Sequence, residues 1–253
     1  MKFTSLYPQD PSRPVITFTI FNFPKNKTWW ALRQMGLKIL EKSAGATFSK
    51  MLGSGRKGFD LMPNFRKYTF LASWENDRQA NDFFASPAFQ TYASRATEHY
   101  TIKMQPMQVH GHWDGKEPFS VSERIGKNYQ GPVVVLTRAK IHVTKLLDFW
   151  RHVPQVHASL KKSPGVLLAM GIGENPITQQ ATVSIWDSVE SLKKFAYQTT
   201  GHKEIVHRTR QRGWYSEELF ARFVPTATQG TLDGKNILVP QLEMIRLASV
   251  YYP

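Results

Sequence analysis

The chain has 253 residues, 41% of them hydrophobic, and a formal charge of +14 at neutral pH, enough material to bury one large core or two smaller ones. It contains no cysteine, which excludes disulfides, iron–sulfur clusters, thiolate zinc sites and cysteine nucleophiles and leaves histidine, methionine and oxygen to hold any redox metal. No apolar run is long enough to span a bilayer, and "MKFTSLYPQDPSRP" lacks the apolar centre of a secretory signal, so the expected location is the cytoplasm.

Apolar periodicity predicts strand 15–21, helix 28–43, strand 46–52, strand 68–74, helix 77–96 and strand 100–110. A second series follows: strand 132–139, helix 145–162, strand 166–172, strand 181–186, helix 188–212 and strand 218–224. Both series read βαββαβ. Laid on itself, the sequence pairs "PVITFTI" (14–20) with "PVVVLTR" (132–138), Gly53 with Gly171, Trp74 with Trp186 and Phe83 with Phe195. It also pairs "GHWDGKEPF" (111–119) with "GTLDGKNIL" (230–238). A βαββαβ unit makes a four-stranded antiparallel sheet with helices on one face, and the bare face must meet a second sheet. The expected class is therefore α+β: tandem ferredoxin-like repeats forming an intrachain dimeric α/β barrel. Residues 1–110 form the first half, 111–131 a connector, 132–224 the second half and 225–253 a tail.

The positive charge suits a polyanion, either nucleic acid or an anionic membrane surface, against the plainer reading of a solvated basic face. Lysine and arginine are spread along the chain without a basic tail. The basic-Gly-aromatic signature of RNA-binding ferredoxin-like domains is absent from both halves, and sheet-to-sheet packing would hide the base-stacking face. Nucleic acid is not expected as a partner.

Of the eight histidines, His110 and His112 share a strand face without a third ligand nearby, and His99, His142 and His152 look solvent-facing. On the helix 188–212, His202 lies with Ile205, Val206 and Thr209, whereas His207 lies with Lys203, Glu204, Arg210 and Gln211. His202 is thus predicted to point inward and His207 outward. Gly201 beside it could let a flat ligand approach. His157 is the rival, sharing a face with Val153 and Leu160; for either, a core histidine bonded to a carbonyl is the plain alternative. In the repeat, the position matching His202 is Gln90, so the halves differ where a ligand is suspected.

The motifs "WW…RQMG", "MLGSG…GF", "FW..VP", "GIGE.P..QQAT.SIW" and "FAY…H…R..GWY.EELFARF", spread from residue 29 to 223, resemble the spheroidene monooxygenase family of carotenoid biosynthesis. The resemblance implies an oxygen-dependent oxidoreductase that places a hydroxyl and then a keto group on a carotenoid or similar long apolar substrate. It implies haem b as cofactor, with His202 the position that fits as iron ligand, an external electron donor, and dioxygen. Without a thiolate, distal donors would assist oxygen–oxygen cleavage, and Arg33, Ser54 and Arg56 are the candidates. Phe195 and Trp150, with Trp30 and Met35, would line the cofactor and polyene pocket, although aromatic residues at helical spacing also serve as plain core. A membrane-dissolved substrate implies peripheral contact with anionic lipid. The alternatives are a cofactorless monooxygenase of the same fold and a haem-binding or haem-degrading protein.

Overall fold

The computed structural model describes residues 2–7, 10–56, 62–121, 129–151, 160, 162–175, 177–198 and 212–241. The first half contains β1 (Thr4–Ser5), β2 (Val15–Asn22), α1 (Thr28–Leu37), α2 (Ile39–Ser43), β3 (Phe48–Gly55), β4 (Pro63–Trp74), α3 (Asp77–Ala85), α4 (Pro87–Arg95) and β5 (Glu98–Gly111). The second contains β6 (Val133–Ile141), helical residues 146–151 (α5), β7 (Val166–Asn175), β8 (Gln179–Trp186), α6 (Val189–Gln198) and β9 (Tyr215–Gly230).

Strands run in the order β5-β2-β4-β3 in one half and β9-β6-β8-β7 in the other, all antiparallel. The halves join at both edges. β5 pairs with β9 from Tyr100↔Gly230 to Gly111↔Leu219, and β3 meets β7 at Gly53↔Gly173 and Ser54↔Ile172. Eight strands thereby close into a barrel, with β1 added on β9. This is the expected intrachain dimeric α/β barrel of tandem ferredoxin-like units.

Both faces of the first half's sheet are covered, which is why β2 is buried almost throughout. Ile16, Phe18 and Ile20 point into the barrel with Leu52, Leu71, Ile102, Leu136, Val183, Ile185 and Phe223. The alternate positions Val15 and Phe21 face out toward the helices with Met51, Phe70 and Trp74. The repeated segments 111–119 and 230–238 fill the barrel core in matching ways, Trp113 and Phe119 from one and Leu232 and Leu238 from the other.

Two predicted helices are each divided. Lys38 adopts a left-handed conformation between α1 and α2. In "SPAF", Ser86 is extended and its hydroxyl accepts the Phe89 N–H, with Pro87 in the first helical turn, so α4 starts afresh. β9 is longer than the predicted strand because its far end continues along β5 and β1.

The seam is fastened twice by the same device. A β-carbon on Gly111 would lie 2.1 Å from the Glu218 carbonyl oxygen, and one on Gly230 would lie 2.0 Å from that of His99; with positive φ at both, only glycine fits. Each glycine leads into an Asp-Gly turn with both residues at positive φ, Asp114-Gly115 and Asp233-Gly234. The amides of Asp114 and Gly115 donate to the Glu217 carboxylate at 2.9 and 2.7 Å, and those of Asp233 and Gly234 to Glu98 at 2.9 and 3.1 Å.

Burial alone would raise the Glu98 and Glu217 pKa values, but the turn amides, joined by Asn22 and Thr231 at Glu98 and by Arg138 at Glu217, outweigh it and hold both carboxyls below their ordinary value. Stabilisation from a depressed carboxyl is complete above its unfolded pKa and is lost as pH falls through the folded one. Urea unfolding should therefore show stability falling below about pH 4.5. A Glu98→Gln/Glu217→Gln variant should be less stable at pH 7 by roughly 1–3 kcal/mol and show a shallower acid decline. An unchanged acid slope would remove these carboxylates from the account.

Candidate functional site

The two halves share one backbone plan, so matching positions on their outer sheet faces can be compared row by row. In the first half one row reads His99–Phe21–Tyr68–Gly53 and the next Thr101–Thr19–Phe70–Met51. In the second half the corresponding rows are Glu218–Ala139–Gln180–Gly173 and Phe220–Thr137–Thr182–Gly171, so the strand register matches Gly53 with Gly173 rather than with Gly171, as the sequence repeat had paired it. Two phenylalanines, a tyrosine and a methionine thus become alanine, threonine, glutamine and glycine.

The first-half residues form a dense aromatic layer under the helices, with Phe21 against Phe89 and Tyr92 at 5.7 Å and Phe70 against Phe83 at 5.3 Å. Thr19 is fully buried there, whereas its counterpart Thr137, at the centre of β6, is exposed. A plain core stripped of this much bulk would lose on the order of 3–5 kcal/mol for each large aromatic side chain removed. Among the described residues the second half lays no such layer over this face, and we call the region around the exposed Thr137 a bay.

Phe195 and Trp150 stand at opposite ends of this face. Phe195, on α6, is buried against Trp186 at 5.2 Å, in the row of Val133. Trp150, on α5, donates its indole N–H to the Ile177 carbonyl at 3.2 Å, beyond the other end of β6. α5 is anchored by Asp148, which accepts from Arg212 at 2.6 Å and from the Trp214 indole at 2.8 Å. The bay rows lie between these two aromatic side chains.

The other predicted site residues do not converge on this face. Arg33 is exposed on α1 in the first half, as is Arg56 after β3. Ser54 is buried at the β3–β7 seam, donating to the Lys67 carbonyl at 2.9 Å. Trp30 and Met35 pack in the first half's helical layer. Gln90 donates to the Phe84 carbonyl at 2.6 Å, bracing α4. His99, expected to face solvent, is half-buried on β5 and burial pushes its imidazole pKa down. His152, His157, Gly201, His202 and His207 lie outside the described residues. Among the described residues no cluster of histidine and carboxylates has metal-binding geometry.

A second polar centre was not foreseen from sequence. Arg138, 1% exposed, pairs with Glu217 and Asp114, while Lys50 bonds Glu174 at 2.7 Å and also pairs with Asp114. The Trp113 indole donates to Glu174 at 2.7 Å. These groups tie β3, β6, β7 and β9 together across both halves, and each charge is met by an opposite one, so the cluster reads as a structural fastening.

The fold defines a single-chain α/β-barrel protein whose two halves differ on their outer sheet faces. The crystal structure of an aldoxime dehydratase has the same fold, with a TM-score of 0.61 at 9% identity, covering 93% of this chain and 90% of that one. A family profile described as a domain of unknown function (DUF3291) matches residues 133–224, the half that carries the bay. The spheroidene monooxygenase of Rhodobacter capsulatus is 32% identical over 234 residues, covering 90% of this chain and 97% of that protein. That of Cereibacter sphaeroides is 36% identical over 230 residues, covering 87% and 69%. The chain belongs to the spheroidene monooxygenase family, and it is an oxygenase, an oxidoreductase.

The bay can be tested without any ligand. Phe70→Thr, which gives the first half the second half's residue, should cost about 3–5 kcal/mol in urea unfolding. Thr182→Phe, the reverse exchange, should change stability by less than about 1 kcal/mol because among the described residues no aromatic layer packs over Thr182 and its neighbour Thr137 is exposed. Equal costs would mean that the two faces are packed alike.

Proposed function

We propose that the chain is a haem-dependent monooxygenase that takes a carotenoid or comparable long apolar molecule and, with dioxygen and an external electron donor, introduces a hydroxyl and then a keto group. The observation that carries this reading is the bay on the outer face of one half only. An internally repeated barrel that loses four large side chains from one face and gains a single one, Phe220, is read here as shaped for one ligand. Membership of the family supports oxygenation, and the relatives are named for spheroidene, a carotenoid.

The residues present fit a flat, largely apolar group. The floor is small at Ala139 and Gly171, the row ends in the ring of Phe220, and Phe195 and Trp150 bound the face. Such surroundings exclude water from whatever fills the bay. With no thiolate in the chain, His202 is the imidazole proposed to hold the iron, on the segment that follows α6. Haem bound through an imidazole supplies activation of dioxygen. Thr137 and Thr182 carry the hydroxyls of the central row, and they, rather than Arg33, Ser54 or Arg56 in other layers, are placed to orient a polar group in the bay.

The absorption spectrum of the purified protein tests this reading. A strong band near ~400 nm is expected of a histidine-bound haem. His202→Ala should lose the band and turnover, and His207→Ala should keep both. Loss in His157→Ala with retention in His202→Ala would move the ligand to the rival helix, and a colourless, active protein would favour the cofactorless mechanism.

No helix among the described residues is long and apolar enough to cross a membrane. Beside the bay, Val143, Leu147 and Ile177 are 75, 79 and 50% exposed, and the exposed Lys140, Lys145 and Arg151 lie among them in sequence or on the same helix. We read this as a peripheral contact with anionic lipid, through which an apolar substrate reaches the bay, each basic residue near the surface contributing about 1 kcal/mol. The protein should float with anionic but not neutral vesicles. Leu147→Glu should weaken flotation, while Trp29→Glu, at the matching place on the first half, should not. Equal flotation with both vesicle types, or an equal effect of the two substitutions, would refute this orientation.

A further inference from the structure

Both halves keep a cation at the same register position on the outer face, one row from the bay row, but only one half gives it a counter-ion. In the first half Lys103 stands opposite Thr17 of β2 and is buried, its ammonium donating to Asp77 and Asn81 of α3, each at 2.6 Å. In the second half Arg222 stands opposite Val135 of β6, the position matching Thr17. The alignment that places Trp74 on Trp186 and Phe83 on Phe195 turns Asp77 into Val189 and Asn81 into Lys193. The acid has become a buried valine and the amide a lysine.

Arg222 is nevertheless half-buried, and its Nε atom is buried without a hydrogen-bond partner. Its guanidinium lies 5.2 Å from the ring centroid of Phe220, the residue that ends the bay row containing Thr137 and Thr182. No ion pair reaches Arg222 among the described residues. An arginine cannot shed its proton to escape burial, so removing the acid leaves a cation that, among the described residues, has the Phe220 ring beside it but no anion. A planar fork of N–H donors on an aromatic ring at the edge of an open bay is suited to a carboxylate.

We propose that Arg222 receives an anionic group of the ligand that fills the bay, a carboxylate of the haem on the reading given above, on which this assignment rests. The cation inherited by both halves is neutralised from within by Asp77 in the first and from the ligand in the second. Arg222 thereby sets how the ligand lies in the bay without touching the iron.

The test is a binding titration of the metal-reconstituted chromophore rather than an activity. Wild type, Arg222→Gln and Arg222→Lys are each titrated with haem and with haem dimethyl ester, whose carboxylates are capped, after thermal unfolding has shown that each variant folds. Wild type should prefer free haem over the ester by roughly 10- to 100-fold, the value of one charge-assisted pair. Arg222→Gln should bind both like the ester, and Arg222→Lys should recover part of the preference. If Arg222→Gln keeps the full preference, or loses affinity for both forms equally, the assignment is overturned while the haem reading stands. If wild type takes up neither form, the haem reading fails and this assignment with it.

Discussion

Every strand edge in this protein has to be paired, and the way the two halves meet that requirement governs the rest of the structure. A four-stranded ferredoxin-like sheet has two open edges and one bare face. Joining β5 to β9 and β3 to β7 removes all four edges and turns both bare faces inward. The long β5–β9 seam depends on the close approach at Gly111 and Gly230, and on the carboxylates Glu217 and Glu98 that accept the amides of the following turns. Because each half contributes the strand, the glycine, the turn and the carboxylate, neither half can close the barrel without the other.

Closure also decides where a ligand can go. The barrel interior is filled by side chains of both sheets and by Trp113, Phe119, Leu232 and Leu238 from the two repeated segments, so it is core. The charges around Arg138 and Lys50 are paired with one another, although Arg138 Nε itself has no hydrogen-bond partner among the described residues. What remains variable is the outer face, which each half covers with its own helices. Changing residues there leaves the inward-facing alternation and the seams untouched, so one copy of a repeated unit can acquire a site while the other keeps its packing. The first half retains its aromatic layer from Phe21 to Phe89, and the second carries the bay.

Much of the fold was legible in the sequence because the signals were local. Period-two apolar runs marked most of the strands, and the match of "GHWDGK" with "GTLDGK" marked the turns that bind the halves together. The helix division at Ser86-Pro87 was also written there, as a capping serine followed by proline, but the amphipathic pattern ran through it. Glu98, Glu217 and the Arg138 cluster were not legible, since each joins residues far apart in the chain. Of the site, Phe195 and Trp150 were found on one face. The bay itself is visible only by comparing rows, because what marks it is the absence of bulk at Ala139, Thr182 and Gly171, residues that attract no notice one at a time.

The unequal halves divide stability and function between them. A face stripped of Phe, Tyr and Met side chains forgoes several kcal/mol of packing, close to the whole margin by which many domains remain folded. The halves share two strand seams, so packing in the dense first half also supports the second. The same coupling explains why Lys103 keeps its acid while Arg222 does not. In the half that only packs, a buried cation has to be neutralised by the fold itself, and Asp77 does so at 2.6 Å. On the proposed reading of the second half, an internal acid at that place would compete with an anionic ligand for the same donors, and Val189 there leaves them free for one.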